Sequence, residues 1–133
     1  MPRTNTLSPD VREFLATRCY VHLATLMADG SPQVSPVWAE TDGDLIVVNS
    51  AAGRVKDKNI KRDARVALSA THPEDPFKAL MIRGRVVKVT EEGAEDGIDR
   101  LARKYIGGER YEWRRPGEVR VAYYIQPETV KTL

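Results

Sequence analysis

The sequence predicts a mainly β protein, an antiparallel β-barrel of six to seven strands with peripheral helices. Three observations predict it. The order of elements is helix, three strands, short helix, two strands, helix and strand. Tight-turn signals, Ala28-Asp29-Gly30 and Thr41-Asp42-Gly43-Asp44, separate the first three strands. The connections are mostly too short for the crossovers that parallel strands need.

The N-terminal half begins with a short helix, because Ser8 is a typical N-cap residue and Pro9 suits the first helical position. We expect this helix to run to about Arg18. The next three strands are predicted from residue 20, over residues 32–40 and over residues 45–50. The first of them is apolar on both faces, so we expect a helix or a second subunit to cover its outer face.

In the C-terminal half, Ala51-Ala52-Gly53 is predicted to end the third strand and to open a short helix that reaches about Arg62. Gly84 is expected to bend a long strand at a barrel corner. The other predicted elements are a strand over residues 65–70, a loop over residues 72–76, the long strand over residues 78–90, a helix capped by Thr90 and ended by Gly107-Gly108, and a last strand from Val119 that Pro127 closes.

The bulk composition is that of an ordinary globular domain. The 133 residues are 41% hydrophobic and 30% charged, which predicts one domain over residues 1–133. No apolar run approaches the length of about 20 residues that spans a bilayer. The N-terminus has no apolar stretch of signal-peptide length, so we expect a cytoplasmic protein with no membrane contact. Cys19, the single cysteine, is expected to be a small core residue.

Positive charge is concentrated in the segment 53–65. This segment has six basic and two acidic residues, an excess of four positive charges, whereas the whole chain has a net charge of +2. Such a local patch fits a small anionic ligand better than a nucleic acid, which usually meets a broadly basic domain. A solvated basic helix face has the same composition, and charge alone does not separate the two interpretations.

The turn Arg54-Val55-Lys56 is the candidate anion site. Gly53 allows a close approach of the backbone, and the first turn of the following helix offers unpaired N–H groups. Arg54 adds a planar fork for phosphate oxygens, and Lys56 adds a point charge.

Three segments together resemble the split-barrel family named after pyridoxamine 5′-phosphate oxidase. They are Leu-Ala-Thr-Leu at residues 23–26, Asp-Gly-Ser-Pro-Gln-Val-Ser-Pro-Val-Trp at residues 29–38, and the basic segment that continues through residue 68. Within that family the chain most resembles the small deazaflavin-dependent group of actinobacteria, whose members use coenzyme F420 rather than FMN. The resemblance implies a split β-barrel like that of FMN-binding proteins, and a homodimer with two cofactor sites at the subunit interface.

The resemblance also implies roles for individual residues. Arg54, Lys56 and Asn59 are expected to hold the cofactor's phosphate or acidic tail. The residues expected to line its ring system are Gln33, Ser35, Val37, Asn49 and Ser50. The chain stops at Leu133 without the further segment with which pyridoxamine phosphate oxidases bind their substrate, so oxidation of vitamin B6 is not expected.

The implied function is an F420H2-dependent reductase that transfers a hydride to a small unsaturated or conjugated substrate. The alternatives are an FMN-binding flavin reductase or oxidase of the same fold, and a non-catalytic flavin or deazaflavin carrier. The wide basic strip favours F420, because FMN has a single terminal phosphate whereas F420 has a phosphodiester followed by glutamates.

Other candidate sites are weaker in the sequence. A nucleic-acid-binding barrel needs exposed aromatics near the basic strip, and the neighbouring strands contain only Trp38. His22 and His72 are not spaced as a metal pair, so no metal is expected. No nucleophile or triad is visible, so the catalytic residue stays unknown. Tyr111 and Trp113 fit two interpretations equally well: a contribution to the partner subunit's pocket or a lid, and a solvated helix end and loop.

Overall fold

The computed structural model describes residues 3–133, which form seven strands and three helices. The strands make one antiparallel sheet in the order β2-β1-β5-β6-β7-β4-β3, and this curled sheet confirms the mainly β, split-barrel class. The elements are α1 (Pro9–Ala16), β1 (Val21–Leu26), β2 (Pro32–Val37), β3 (Ala39–Asp42), β4 (Leu45–Ala51), α2 (Val55–Arg62), β5 (Arg65–His72), β6 (Asp75–Thr90), α3 (Ala94–Ile106) and β7 (Arg120–Thr132).

The curl of the sheet depends on β6 and β7. The register between them shifts at Arg83/Gly84, and a Cβ atom at Gly84 would lie 2.3 Å from the carbonyl oxygen of Gln126. Only glycine allows the two backbones to come this close, so the predicted bend at Gly84 is confirmed. Inside the curl lies one large apolar core, in which Tyr123, Leu23 and Ile125 are almost fully buried.

The ends of the helices agree with the sequence in part. Ser8 caps α1 as predicted, with its Oγ accepting a hydrogen bond from the N–H of Val11, but the helix ends at Ala16 rather than near Arg18. Gly107, with φ +75°, ends α3 as predicted. Thr90 does not cap that helix. Its hydroxyl accepts the N–H of Glu92, and α3 begins only after Gly93, which takes φ +77°.

Three strand predictions were wrong because pairing partners override local patterns. The strand predicted over residues 32–40 is two strands, since β2 pairs with β1 whereas β3 pairs with β4 at the other edge of the sheet. The predicted loop 72–76 is a tight hairpin, in which His72 pairs with Asp75. Pro127 does not close β7. It lies opposite Gly84, where the ladder is already irregular, so its missing N–H group is tolerated.

Two further expectations concern Cys19 and the membrane. The Cys19 side chain is 1% exposed and lies in the core, as predicted. Within residues 3–133, every helix is too short or too polar to cross a bilayer.

Candidate functional site

A cavity of about 350 Å³ lies where β4, β7, the start of α2 and the segment after α3 meet. Its lining combines basic and aromatic side chains: Tyr20, Pro36, Val37, Trp38, Asn49, Arg54, Lys56, Ile98, Tyr111, Trp113 and Arg120. A larger cavity of about 490 Å³ lies between α1 and the start of β6. The charged side chains of that second cavity are of mixed sign, Asp10 and Glu13 against Lys78, so the first cavity is the better candidate for an anionic ligand.

Three cations converge in the first cavity, and we call Arg54, Lys56 and Arg120 the cation cluster. Among the residues that the structure describes, one carboxylate, Glu118, forms ion pairs with it: its Oε1 is 3.5 Å from Arg54 Nη2 and its Oε2 is 3.3 Å from Arg120 Nη1. Burial, together with the charges of Arg54 and Arg120, lowers the pKa of Lys56. Three positive groups against one negative group leave an excess of positive charge, which favours a bound anion.

Hydrogen bonds fix the orientation of the Arg120 side chain. Its Nε and Nη2 donate to Asn49 Oδ1 at 3.0 and 2.8 Å, and Asn49 Nδ2 donates to the carbonyl of Ala94 at 2.8 Å. The Tyr111 ring lies 5.1 Å from the guanidinium. The Arg120 residue is 4% exposed, and its Nη1 forms the ion pair with Glu118 but no hydrogen bond. One edge of the guanidinium is therefore fixed by β4 and α3.

Sequence reasoning missed Arg120. The residue lies far along the chain from the basic segment, and it reaches the cavity only because β4 pairs with β7, with Ala51 opposite Arg120. The available signal was an arginine directly before the apolar run 121–125, since a charge there must be paired or functional.

The turn before α2 has the predicted geometry. Gly53 takes φ +89°, a conformation that favours glycine, and Arg54 is the N-cap residue. No side chain caps the N–H groups of the first turn, so they add partial positive charge beside the cation cluster.

An aromatic wall made of Trp38, Tyr111 and Trp113 closes another part of the cavity. The Trp38 centroid is 6.0 Å from that of Tyr111 and 5.9 Å from that of Trp113, and the Trp38 ring stacks on Tyr105. The segment that bears the wall is tied to α3, because Asp99 accepts the N–H of Tyr111 at 2.8 Å. Tyr111 and Trp113 thus line the cavity of their own chain, and a contribution to a partner subunit's pocket stays a prediction.

Four of the predicted cofactor residues line the cavity: Val37, Asn49, Arg54 and Lys56. Asn49 Oδ1 accepts from Arg120 and its Nδ2 donates to Ala94, so Asn49 orients Arg120, and a contact between Asn49 and a cofactor ring stays a prediction.

The other five predicted residues are not among those that line it. Val55 is 49% exposed at the first position of α2, and Gln33 accepts a hydrogen bond from Thr25 at 3.2 Å. The hydroxyls of Ser35 and Ser50 are buried and have no hydrogen-bond partner within the described part of the chain. Contacts of these residues with a cofactor stay a prediction.

Asn59 is 1% exposed and joins α2 to β1. Its Nδ2 donates to Thr25 Oγ1 at 3.0 Å, and its Oδ1 accepts from Arg62 at 3.3 Å. These contacts explain the residue structurally, and a contact between Asn59 and phosphate stays a prediction. Residues 3–133 contain no group of three or more His, Cys, Asp or Glu side chains arranged to hold a metal ion.

Comparisons with known proteins point to one family. Residues 7–133 match the family model described as pyridoxamine 5′-phosphate oxidase. No curated protein matches the chain. A solved structure named F420 reductase is 27% identical, covers 94% of this chain and 98% of its own, and superposes with a TM-score of 0.81.

Two less identical structures agree with the fold alone. A conserved hypothetical protein from Mycobacterium tuberculosis is 17% identical over 99% of this chain and 88% of its own, with a TM-score of 0.76. A putative pyridoxamine 5′-phosphate oxidase from Lactobacillus delbrueckii is 23% identical over 98% of this chain and 99% of its own, with a TM-score of 0.68.

Proposed function

The chain belongs to the pyridoxamine 5′-phosphate oxidase family, and from this premise we propose that it is an F420H2-dependent reductase of a small unsaturated or conjugated substrate. The family fold is one that binds flavins, and the similarity to an F420 reductase supports an oxidoreductase. The observation that carries the proposal is the cavity in which the cation cluster meets the aromatic wall. Such a cavity suits a flat ring attached to an anionic chain.

The excess of positive charge supports a phosphate-bearing cofactor. Arg54 and Arg120 share one carboxylate, Glu118, and no acidic side chain lines the cavity beside Lys56. Arg54 also lines a second groove, of about 370 Å³, together with Arg115 and the mostly buried Glu118. A ligand that passes Arg54 can therefore meet cations on both sides of it. This favours F420, whose tail continues beyond its phosphodiester, over FMN.

The residues of the chain bind and orient the cofactor rather than reacting with the substrate themselves. A reduced deazaflavin, when bound, supplies the hydride. The cation cluster binds and orients the anionic part of the cofactor, and the first turn of α2 adds N–H groups. The aromatic wall packs against the flat ligand and excludes water from it.

We also propose a homodimer, because one face of the sheet presents apolar side chains to solvent. Ala24 pairs with Val34 on one side and with Ala67 on the other, and Val34 is 63% exposed. Together with Met81, which is 37% exposed, these residues line a shallow cavity of about 350 Å³. Such a patch is typical of an interaction surface. A second copy of the chain would cover the outer face of β1, as the sequence led us to expect.

The cofactor is tested by titrating the purified protein with F420 and with FMN and following fluorescence. We expect F420 to bind and both Arg54→Ala and Lys56→Ala to weaken binding. Lys58→Ala is the matched control, because Lys58 is an exposed cation of the same helix outside the cavity. Micromolar binding of FMN without binding of F420 would overturn the proposal in favour of the FMN alternative.

Catalysis and dimerisation need separate measurements. Oxidation of bound F420H2 by a panel of conjugated acceptors distinguishes a reductase from a carrier, which binds the cofactor but transfers no hydride. Light scattering is expected to show a dimer for the natural chain and a monomer for Val34→Asp. A monomeric natural chain would contradict the proposed dimer.

A further inference from the structure

Asp57 is a buried carboxylate within the helix that carries the basic segment. Its side chain is 2% exposed and accepts three hydrogen bonds. The donors are the N–H of Gly53 at 2.9 Å, the hydroxyl of Tyr123 at 2.5 Å and Nζ of Lys61 at 3.0 Å. Burial opposes ionisation of Asp57, but these hydrogen bonds outweigh burial and hold its pKa below the ordinary value.

The contact with Gly53 fixes the turn that presents the cation cluster. The turn's own backbone hydrogen bond, from the N–H of Arg54 to the carbonyl of Ala51, is long at 3.5 Å. The bond from the Gly53 N–H to Asp57 Oδ2 is much shorter, at 2.9 Å. The carboxylate therefore supplies the firmer restraint on this glycine turn.

The contact with Tyr123 connects the same turn to the sheet. Tyr123 is 0% exposed and lies on β7, three residues after Arg120. Asp57 Oδ1 accepts its hydroxyl, whereas Oδ2 accepts the Gly53 N–H. One carboxylate thus joins the element that bears Arg54 and Lys56 to the strand that bears Arg120.

We propose that Asp57, held by Tyr123, is the positioning residue of the anion site and sets the spacing of Arg54 and Lys56 relative to Arg120. This inference rests on the proposed function, because it assumes that the cation cluster binds the cofactor's phosphate. Asp57 itself does not line the cavity.

Charge and position predict opposite effects for the loss of Asp57. Removal of a carboxylate near the cation cluster makes the site more positive, so charge alone predicts tighter binding of an anion. A positioning role predicts weaker binding, because the cations lose their common geometry. The sign of the change in anion affinity therefore distinguishes a charge effect of Asp57 from a positioning role.

The experiment compares each cofactor with the same ring system without its phosphate: F420 with its phosphate-free deazaflavin core, and FMN with riboflavin. In the full chain, we expect Asp57→Ala to weaken binding of the phosphate-bearing ligand about tenfold and to leave the phosphate-free ligand within about twofold. Asp57→Asn keeps an oxygen for the Gly53 N–H, so it is expected to recover most of the affinity. Tyr123→Phe is expected to cause a loss of about threefold.

Two matched controls test the specificity of the effect. Lys61→Ala removes a contact of Asp57 without touching the turn, and Tyr124→Phe removes a hydroxyl from the neighbouring position of β7. Neither is expected to change the ratio of the two affinities. In an Arg54→Ala/Lys56→Ala background, Asp57→Ala is expected to have no further effect, since the groups that it positions are gone.

The ratio of the two affinities is unaffected by partial unfolding, because both ligands meet the same folded fraction. If Asp57→Ala does not fold, Tyr123→Phe gives the same test through its expected loss of about threefold for the phosphate-bearing ligand alone. Tighter phosphate binding, or equal losses for both ligands, would overturn the positioning role alone. Failure of the natural chain to bind F420 or FMN would overturn the proposed function, and the positioning role with it.

Discussion

Two half-buried lysines of this protein differ in their surroundings: Lys104 is paired within the fold, whereas Lys56 lies among cations in the candidate site. Burial lowers the pKa of both Lys104 and Lys56. Lys104 Nζ donates to the carbonyls of Leu15 and Ala39, each at 2.6 Å, and the neighbouring Cys19 and Glu40 partly offset the effect of burial on its pKa. Lys104 thereby joins α3 to α1 and to β3.

Lys56 has the opposite surroundings. Its neighbours Arg54 and Arg120 are cations that lower its pKa further, and Lys56 lines the cavity that contains the cation cluster. A half-buried charge with hydrogen-bond partners in the fold is costly to remove, because its partners are left unpaired, whereas one among like charges costs folding free energy that a bound anion would offset. Variants of Lys56 and Lys104 test this contrast, and a variant of the aromatic wall tests the uncharged side of the same cavity.

The largest expected effect is on cofactor affinity. Lys56→Met is expected to weaken binding of F420 by about thirtyfold, because a charge-assisted contact to a phosphate oxygen is lost. Lys104→Met is expected to change the affinity by less than about twofold. Fluorescence titration of both variants measures this, and equal losses would contradict the contrast.

The same two variants are expected to rank in the opposite order by their loss of stability. Lys104→Met leaves the carbonyls of Leu15 and Ala39 without their charged donor, so we expect the free energy of unfolding to fall by about 2 kcal/mol. Lys56→Met relieves repulsion within the cation cluster and is expected to leave the stability unchanged or slightly raised. Urea unfolding without cofactor measures both, and a larger loss for Lys56→Met would reverse our assignment of the two roles.

A smaller effect is expected from pH. The pKa of Lys56 in the free protein is lowered, and a bound anion favours its charged form, so the affinity for F420 should fall as pH rises through that lowered pKa. We expect a loss of up to about tenfold between neutral and alkaline pH. Lys56→Arg keeps its charge at alkaline pH, and its affinity should stay constant over the same range. An identical pH profile for both proteins would exclude Lys56 as the titrating group.

The smallest expected effect concerns the aromatic wall. Trp113 is 60% exposed, so its ring contributes only part of its area to a ligand. Trp113→Leu is expected to weaken binding of F420 about threefold and of its phosphate-free core by the same factor, since the contact is with the ring. A loss confined to F420 would show that Trp113 acts on the anionic part instead.

Local features of the fold could be predicted from the sequence because residues close along the chain determine them. A serine before a proline caps α1, a glycine ends α3, and Gly84 allows two backbones to meet. The errors arose where pairing across the sheet decides the structure. The chain leaves β2 at Val37 and joins the opposite edge as β3 at Ala39, and no local pattern marks that change.

The sequence by itself determined the β-rich class and the position of the basic turn at Arg54 and Lys56, because both depend on residues that are close along the chain. Only the tertiary structure brought Arg120 and Glu118 to that turn. It also placed Asn49 where its Oδ1 accepts hydrogen bonds from Arg120. The physical reason is the strand order: β4 lies beside β7, so residues about 70 positions apart become neighbours through backbone hydrogen bonds that carry no residue-specific signal.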